Sequence, residues 1–196
     1  MLTIINRGRY PSAVTTRREQ ILATAAELFA ARGFHGVSVV ELGAACGVTG
    51  PALYRHFASK DAMLAEMLVA ISQRLLSVGR QRVAAADGAS GALEALVAWH
   101  TDFALHNKAL IVVQDRDWSS LPPEAQEQVR HLQRTYVELW VTTLREVRPE
   151  VDSDRGHAMV HATFGLLNST PRSSYLGEPA MADLLTAMAH EALLRP

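Results

Sequence analysis

The chain has 196 residues, of which 48% are hydrophobic, and this is enough to bury a sizeable core in one or two domains. A single cysteine excludes an internal disulfide framework, and the lack of a long apolar run or a signal-peptide start predicts a cytoplasmic protein with no membrane contact. The net charge of −1 is unevenly divided, because residues 1–60 hold seven Lys/Arg against three Asp/Glu and residues 61–196 hold twelve against seventeen.

The first helix is predicted by its capping residues. Arg7 and Arg9 precede it in a segment without helical periodicity, so residues 1–12 are expected to form a flexible arm. Thr16 and Glu19 then make a capping box, in which the hydroxyl accepts a backbone N–H and the carboxylate reaches back. A helix should follow with one apolar face and end at a glycine. These positions are Ile21, Ala25, Leu28, Phe29 and the terminal Gly33.

A second, short helix is predicted to begin at about Val39. Ser38 with Glu41 repeats the capping-box spacing. Gly47 supplies the backbone freedom for a sharp exit from this helix. The segment therefore reads as a helix of about two turns that leads into a tight turn.

A third helix is expected to start near Thr49 or Gly50, with Pro51 in its first turn, where a missing N–H costs nothing. Leu53 and Phe57 are four residues apart and should both face the core. The residues between them then project outward, and they are Tyr54, Arg55 and His56. One buried side and one exposed polar side are what a helix-turn-helix needs in order to enter a DNA major groove.

The rest of the chain keeps a helical apolar period with no alternating strand pattern. A long helix from Ser59 should run through Val78 and end at the turn residues 87–91. Further helices are predicted at about 92–106, 123–147, 154–168 and from 178, with a buried stretch at 108–114 and a loop at 118–123. The fold class is thus all-α with about nine helices.

The pieces 16–22, 53–57 and Ser59-Lys60-Asp61 resemble the TetR family of transcriptional repressors, and the likeness covers about residues 13–68. It implies a DNA-binding domain at 13–60 and a ligand-binding and dimerisation domain at 61–196. A homodimer would bind a palindromic double-stranded operator and be released by a small-molecule effector. Dimers in this family form through the last two long helices, here the helix at 154–167 and the final one.

The resemblance also implies residue roles in DNA binding. Tyr54, His56 and Lys60 would contact phosphates, helped by the Thr49 hydroxyl. Base reading would fall on Gly50, Ala52 and Arg55, and sometimes on Val40 of the preceding helix, and Ser38 also belongs to the predicted DNA-binding residues. Most of these readers cannot hydrogen-bond a base edge, so direct readout would depend on Arg55, which predicts a guanine at its base position. The alternative is that Tyr54 and His56 only pack at the edge of a small helical core. For Arg7 and Arg9 of the arm, two possibilities remain open, which are insertion into the minor groove and full solvation.

The middle helices combine aromatic and polar residues in a way that is typical of a small-molecule pocket. The candidates are Trp99, His100, Phe103, Gln114, Asp115, Trp118, Tyr136, Trp140, Phe164 and Asn168. The same residues could be ordinary core. The family resemblance implies an effector pocket here, and a weaker likeness at 111–115 is to actinobacterial members that govern lipid and steroid breakdown and respond to acyl-CoA thioesters.

Three other interpretations remain open from the sequence. His157 and His161 have a spacing that can bind a metal, but no third ligand is indicated, so no metal and no cofactor are predicted. Cys46 is either a small buried residue or a redox sensor. The chain lacks a phosphate loop and a nucleophile elbow, so we expect no enzyme. The alternatives are a ligand-binding helical protein or enzyme without a DNA role, and a DNA-binding regulator or activator without a ligand.

Overall fold

The computed structural model describes residues 16–195, and in this range it is all-helical, with no strand. The predicted arm at 1–12 lies outside the described residues. Ten α-helices and one 3-10 helix (Trp118–Ser120) are present, one more α-helix than the sequence pattern suggested. They are α1 (Arg17–Arg32), α2 (Val39–Ala45), α3 (Gly50–Leu53), α4 (Lys60–Ala84), α5 (Gly88–His106), α6 (Lys108–Asp117), α7 (Pro123–Val147), α8 (Ser153–Leu167), α9 (Thr170–Ser173) and α10 (Glu178–Leu194).

The N-terminal helices begin where their caps predict. Both capping boxes are present, with the Thr16 and Ser38 side chains accepting from the N3 backbone and the two glutamates reaching back. Thr49 caps α3, and its side chain accepts from the Ala52 N–H at 3.3 Å. Gly47 has a φ of 66°, which is the left-handed geometry expected for the exit from α2.

The head, α1 to α3 with the first turns of α4, is built around a core to which the body also contributes. Phe29, Leu42, Leu53 and Phe57 are buried at its centre. Val113 of α6 belongs to the same cluster, as do Leu121, Ala125 and Val129 around the start of α7. The head therefore shares apolar packing with the rest of the described chain, which we call the body. A movement of α6 would displace side chains of the head core.

The helix α4 links the two parts, since its N-terminal half packs in the head and its C-terminal half packs against α5 and α7. Its length and apolar composition would let it cross a membrane, and it is the one helix of residues 16–195 that passes this test. Its buried side is occupied by the two cores, which is the behaviour of a central helix in a globular protein.

Three helix boundaries differ from the sequence prediction. The helix α3 ends at Leu53, and the chain continues through residue 56 as a turn held by the bonds Arg55 N–H to Ala52 O and His56 N–H to Leu53 O. The helix α5 begins at Gly88 because its φ of 74° turns the chain sharply, so residues 88–91 are helical rather than linker. Residues 170–173 form the short α9, in which proline occupies a first-turn position.

Candidate DNA interface and effector cavity

The second and third helices approach each other closely at Gly43. A Cβ built on this buried glycine would lie 2.8 Å from the Val48 carbonyl oxygen, so only glycine fits beneath the turn. The sequence did not predict a role for Gly43, because a glycine within a helix usually signals only a lower helix propensity and not a close approach of two backbone segments. The close approach fixes the angle at which α3 leaves α2.

The exposed surface of this hairpin contains the predicted base and phosphate contacts. Tyr54 is 54% exposed and Val40 is 75% exposed, while Arg55 is also exposed and His56 is partly buried. Gly50 and Ala52, which lie in α3, are partly buried. None of these six predicted DNA-binding residues is fully buried, and the polar Tyr54 and Arg55 are exposed to solvent.

The predicted hydroxyl contacts are already used as helix caps. The Ser38 Oγ accepts from the Glu41 N–H at 3.2 Å and donates to the Glu41 carboxylate at 2.7 Å. The pKa of Glu41 is lowered to about 2, first by the Ser38 backbone N–H, which donates to its carboxylate at 2.9 Å, and then by the Ser38 hydroxyl and the Arg32 guanidinium. Ser38 and Thr49 therefore hold the geometry of the hairpin from within the protein.

Lys60 also makes contacts inside the protein. Its Nζ donates to the carbonyl oxygens of Phe34 at 2.8 Å and Val37 at 2.9 Å, and it lies 4.3 Å from the centroid of the Phe34 ring. Two of its three N–H donors are thus satisfied by the loop between α1 and α2. Lys60 braces this loop, and one donor is left for a phosphate.

The other head cations are engaged in a similar way. The guanidinium of Arg17 donates to the Cys46 carbonyl, and that of Arg18 bonds Glu66 and the His56 carbonyl. Arg32 pairs with the Glu41 carboxylate at 2.6 Å. Among the lysines and arginines of residues 16–60, Arg55 is the one whose side chain makes no hydrogen bond or ion pair to the described chain.

A cavity of about 190 Å³ lies within the body, between α4, α5, α6, α7 and α8. Seven of the predicted ligand residues line it, and they are His100, Phe103, Gln114, Asp115, Tyr136, Phe164 and Asn168. The sequence prediction missed the other lining residues, which are Ile71, Leu75, Leu110, Ile111, Gln133, Val137 and His161. Asp115 is the only Asp, Glu, Lys or Arg in this described lining.

Three nearly parallel rings form the aromatic part of the cavity. The His100 ring stacks on Phe164 with centroids 4.5 Å apart, and on Tyr136 at 5.8 Å. His100 Nε2 lies 3.2 Å from Asn168 Oδ1, and His100 Nδ1 lies 3.4 Å from the Tyr136 hydroxyl. Because Asn168 Oδ1 only accepts, Nε2 carries the proton and Nδ1 accepts from the tyrosine. Burial lowers the pKa of His100 to about 4 and raises that of Tyr136, so both are neutral near pH 7.

The structure does not bring the three predicted tryptophans to the cavity wall. Trp140 is fully buried behind it, perpendicular to Phe164 at a centroid distance of 5.0 Å. The Trp99 Nε1 donates to the Leu75 carbonyl at 3.2 Å, so this ring packs on α4. Trp118 packs against the head core. The three tryptophans bury their large apolar area between helices. Helical spacing in the sequence alone does not distinguish such packing residues from ligand-binding residues.

Two sequence models match the chain. Residues 21–67 match the bacterial regulatory proteins of the tetR family, and residues 87–172 match a tetracyclin repressor-like C-terminal domain. The transcriptional repressor KstR2 of Rhodococcus jostii is 31% identical over 161 residues, which cover 81% of this chain and 78% of that protein. The chain belongs to the TetR family. TetR-family proteins are DNA-binding transcription regulators rather than enzymes.

Solved structures share the TetR fold along nearly the whole chain. The ketosteroid transcriptional regulator KstR2 of Mycobacterium tuberculosis superimposes with a TM-score of 0.78 at 21% identity, covering 96% of this chain and 100% of that one. AibR, in complex with isovaleryl coenzyme A and operator DNA, gives 0.69 at 19% identity, covering 88% and 97%. At these identities the superpositions show the fold.

The two histidines considered as metal ligands and the cysteine considered as a redox sensor lie in different environments in this TetR-family chain. His157 bonds the Glu138 carboxylate at 2.7 Å, whereas His161 lines the cavity, so the two histidines have different partners. No cluster of three His, Cys, Asp or Glu that could hold a metal occurs in residues 16–195. Cys46 is buried in the head core, and burial raises the pKa of its thiol, which disfavours the reactive thiolate.

Proposed function

We propose that this protein is a homodimeric repressor that binds a palindromic operator and leaves it when a small, largely apolar effector occupies the body cavity. The proposal is supported by the contrast between an unpaired arginine on the surface of the head and a largely apolar cavity in the body. Arg55 has no partner in the described chain and is exposed on the helix-turn-helix, while the body holds a largely apolar, aromatic cavity with Asp115 as the one Asp, Glu, Lys or Arg of its described lining. The first feature suits DNA and the second suits an uncharged organic group.

Base reading by the head should depend on Arg55. Its unpaired guanidinium can bond the O6 and N7 atoms of guanine, and the exposed Val40 methyls can contact a thymine methyl. The exposed Tyr54 should bond a phosphate beside it. Replacing the guanine at the contacted position should cost on the order of 1 to 3 kcal/mol in binding free energy for the wild type. The Arg55→Ala variant should lose this discrimination.

A mobility shift on the DNA that flanks the gene tests the head directly. The wild type should retard this fragment at low salt, and Tyr54→Ala should weaken binding to all sequences alike because phosphate contacts carry no sequence information. Tyr175→Ala is the matched control, since this tyrosine is 90% exposed and lies in the body. No shift by the wild type at low salt would contradict the proposal.

The face for a second copy is proposed on α8 and α10. Leu184 and Met188 are 44% and 46% exposed on α10, and Ala158 and Ala162 are exposed on α8. Apolar helix faces of this kind pair into four-helix bundles. The double substitution Leu184→Glu and Met188→Glu should give a monomer in analytical ultracentrifugation, whereas Val40→Glu, which changes an equally apolar exposed site on the head, should leave the dimer intact.

The effector class is inferred from the cavity and from the relatives. Most of the lining is aliphatic or aromatic, the buried His100 is neutral, and Asp115 disfavours an anion, so the cavity favours an uncharged group. KstR2 of Mycobacterium tuberculosis is a ketosteroid regulator, and AibR was crystallised with isovaleryl coenzyme A. We therefore favour a lipid-derived acyl group carried as a thioester. Native mass spectrometry of the purified protein would detect a retained ligand by its mass.

The signal should reach the head through α6. Gln114 and Asp115 line the cavity, and the next two residues hold the head. Arg116 donates to the carbonyls of Phe29 and Ala30 at the end of α1, while the buried Asp117 carboxylate accepts the Phe34 N–H at 3.3 Å. A ligand that shifts this helical turn therefore moves the end of α1. To release DNA it must bind the shifted and unshifted states with different affinity.

A further inference from the structure

A second groove adjoins the effector cavity, and its lining contains an arginine, whereas the described lining of the cavity has no Lys or Arg. Its volume is about 390 Å³, and it shares Asp115, Phe164 and Asn168 with the inner cavity. Beyond these shared residues it is lined by Gly165, Ser169, Arg172 and Ser173. The two spaces are therefore neighbours, and the outer one adds a cation and two hydroxyl groups to the walls that they share.

Arg172 is the cation of this groove. It is exposed on α9, and within the described chain its guanidinium has no hydrogen-bond or ion-pair partner. The hydroxyls of Ser169 and Ser173 lie on either side of it in sequence and bond each other at 2.9 Å. A Cβ built on Gly165 would meet nothing within 4 Å, so this wall of the groove is open. An unpaired guanidinium with neighbouring hydroxyls matches the geometry of a phosphate.

Asp115 sets where the anion can lie. Asp115 lines both spaces, so its carboxylate repels a negative charge where they adjoin. A short free acid with its chain in the cavity would place its own carboxylate close to Asp115. A longer ligand with a neutral linker avoids the repulsion, and N–H groups on that linker could donate to Asp115 or bond the Asn168 amide.

From this arrangement we propose that the effector is an amphipathic molecule with two ends, whose neutral acyl end fills the inner cavity and whose phosphate-bearing end binds Arg172 in the outer groove. The inference rests on the proposed function, and it names the ligand class of that same site. It assigns Arg172 as the residue that distinguishes a phosphorylated thioester from the matching phosphate-free thioester and from the free acid.

The test compares ligands that differ only in the anionic end. Isothermal titration would measure binding of isovaleryl-CoA and octanoyl-CoA, of the corresponding acyl-pantetheine thioesters without phosphate, and of the free acids. In the wild type a CoA thioester should bind about tenfold tighter than its pantetheine counterpart, and the free acid should bind most weakly. Arg172→Gln should erase the preference by weakening only the CoA thioester. Arg155→Gln changes an exposed arginine that lies near the start of α8 and does not line the groove, and it should preserve the preference.

Several outcomes would overturn the inference: equal affinity of CoA and pantetheine thioesters for the wild type, a preference that survives in Arg172→Gln, or no binding of any thioester. The mobility shift with operator DNA is measured on the same samples and separates these failures from failure of the proposed function. Arg172→Gln should retard DNA as the wild type does, because Arg172 lies in the body. If neither protein retards DNA, the repressor proposal itself fails.

Discussion

The buried histidine of the effector cavity should make the stability of the protein depend on pH. His100 is 2% exposed, and burial lowers its pKa from 6.5 to about 4. Because the folded-state pKa is the lower one, the unfolded chain takes up the proton first, so the stability is complete above the unfolded pKa and falls as the pH drops from 6.5 towards 4. This difference should remove about 2 kcal/mol of unfolding free energy between about pH 7 and about pH 5.

Urea unfolding at one protein concentration over this pH range would measure the effect. His100→Gln keeps an N–H donor for Asn168 but does not titrate, so its stability should fall by about 2 kcal/mol less than that of the wild type. His157→Gln is the control with the opposite sign. Glu138 raises the pKa of His157, so its contribution is present at low pH and is lost as the pH rises. If the stability of His100→Gln falls as steeply with pH as that of the wild type, His100 is not the group responsible.

Three more substitutions probe the head and its attachment. Asp117→Ala should destabilise the fold by about 2 kcal/mol in urea unfolding, since the Phe34 N–H loses its buried acceptor; a loss below about 0.5 kcal/mol would argue against this bond. Lys60→Met should cost about 1 to 2 kcal/mol in the same assay because two loop carbonyls lose their donor, and unchanged stability would contradict its bracing role. Gly43→Ala should lower both the melting temperature and DNA affinity, whereas Gly165→Ala, whose Cβ meets no neighbour, should change neither.

The elements that sequence predicted best are those set by local chemistry. The Thr16 and Ser38 capping boxes fix helix starts within three residues of chain, so their spacing alone was sufficient. The exit at Gly47 was predictable for the same reason, because its left-handed φ is a property of one residue. The all-α class also followed from the period of apolar residues.

The parts that could not be predicted depend on which helices meet. From helical spacing, Trp99, Trp118 and Phe164 were equally good candidates for ligand binding. Of these three residues, only Phe164 lines the cavity. The lining depends on how five helices from distant parts of the chain pack together, which the local sequence does not specify. Lys60 was predicted from family resemblance to contact DNA, but its bonds to Phe34 and Val37 depend on how a loop 23 residues earlier folds back. Long-range packing, rather than the local pattern, determined these positions.

Cavity occupancy and DNA binding should be coupled in one molecule. Fluorescence anisotropy with a labelled operator fragment would give DNA affinity with and without saturating CoA thioester, and titration would give thioester affinity with and without DNA. Linkage requires the two factors to be equal, so each ligand should weaken binding of the other by the same factor, about fivefold or more. A thioester that binds the cavity tightly and leaves operator affinity unchanged would show that the cavity does not control DNA binding.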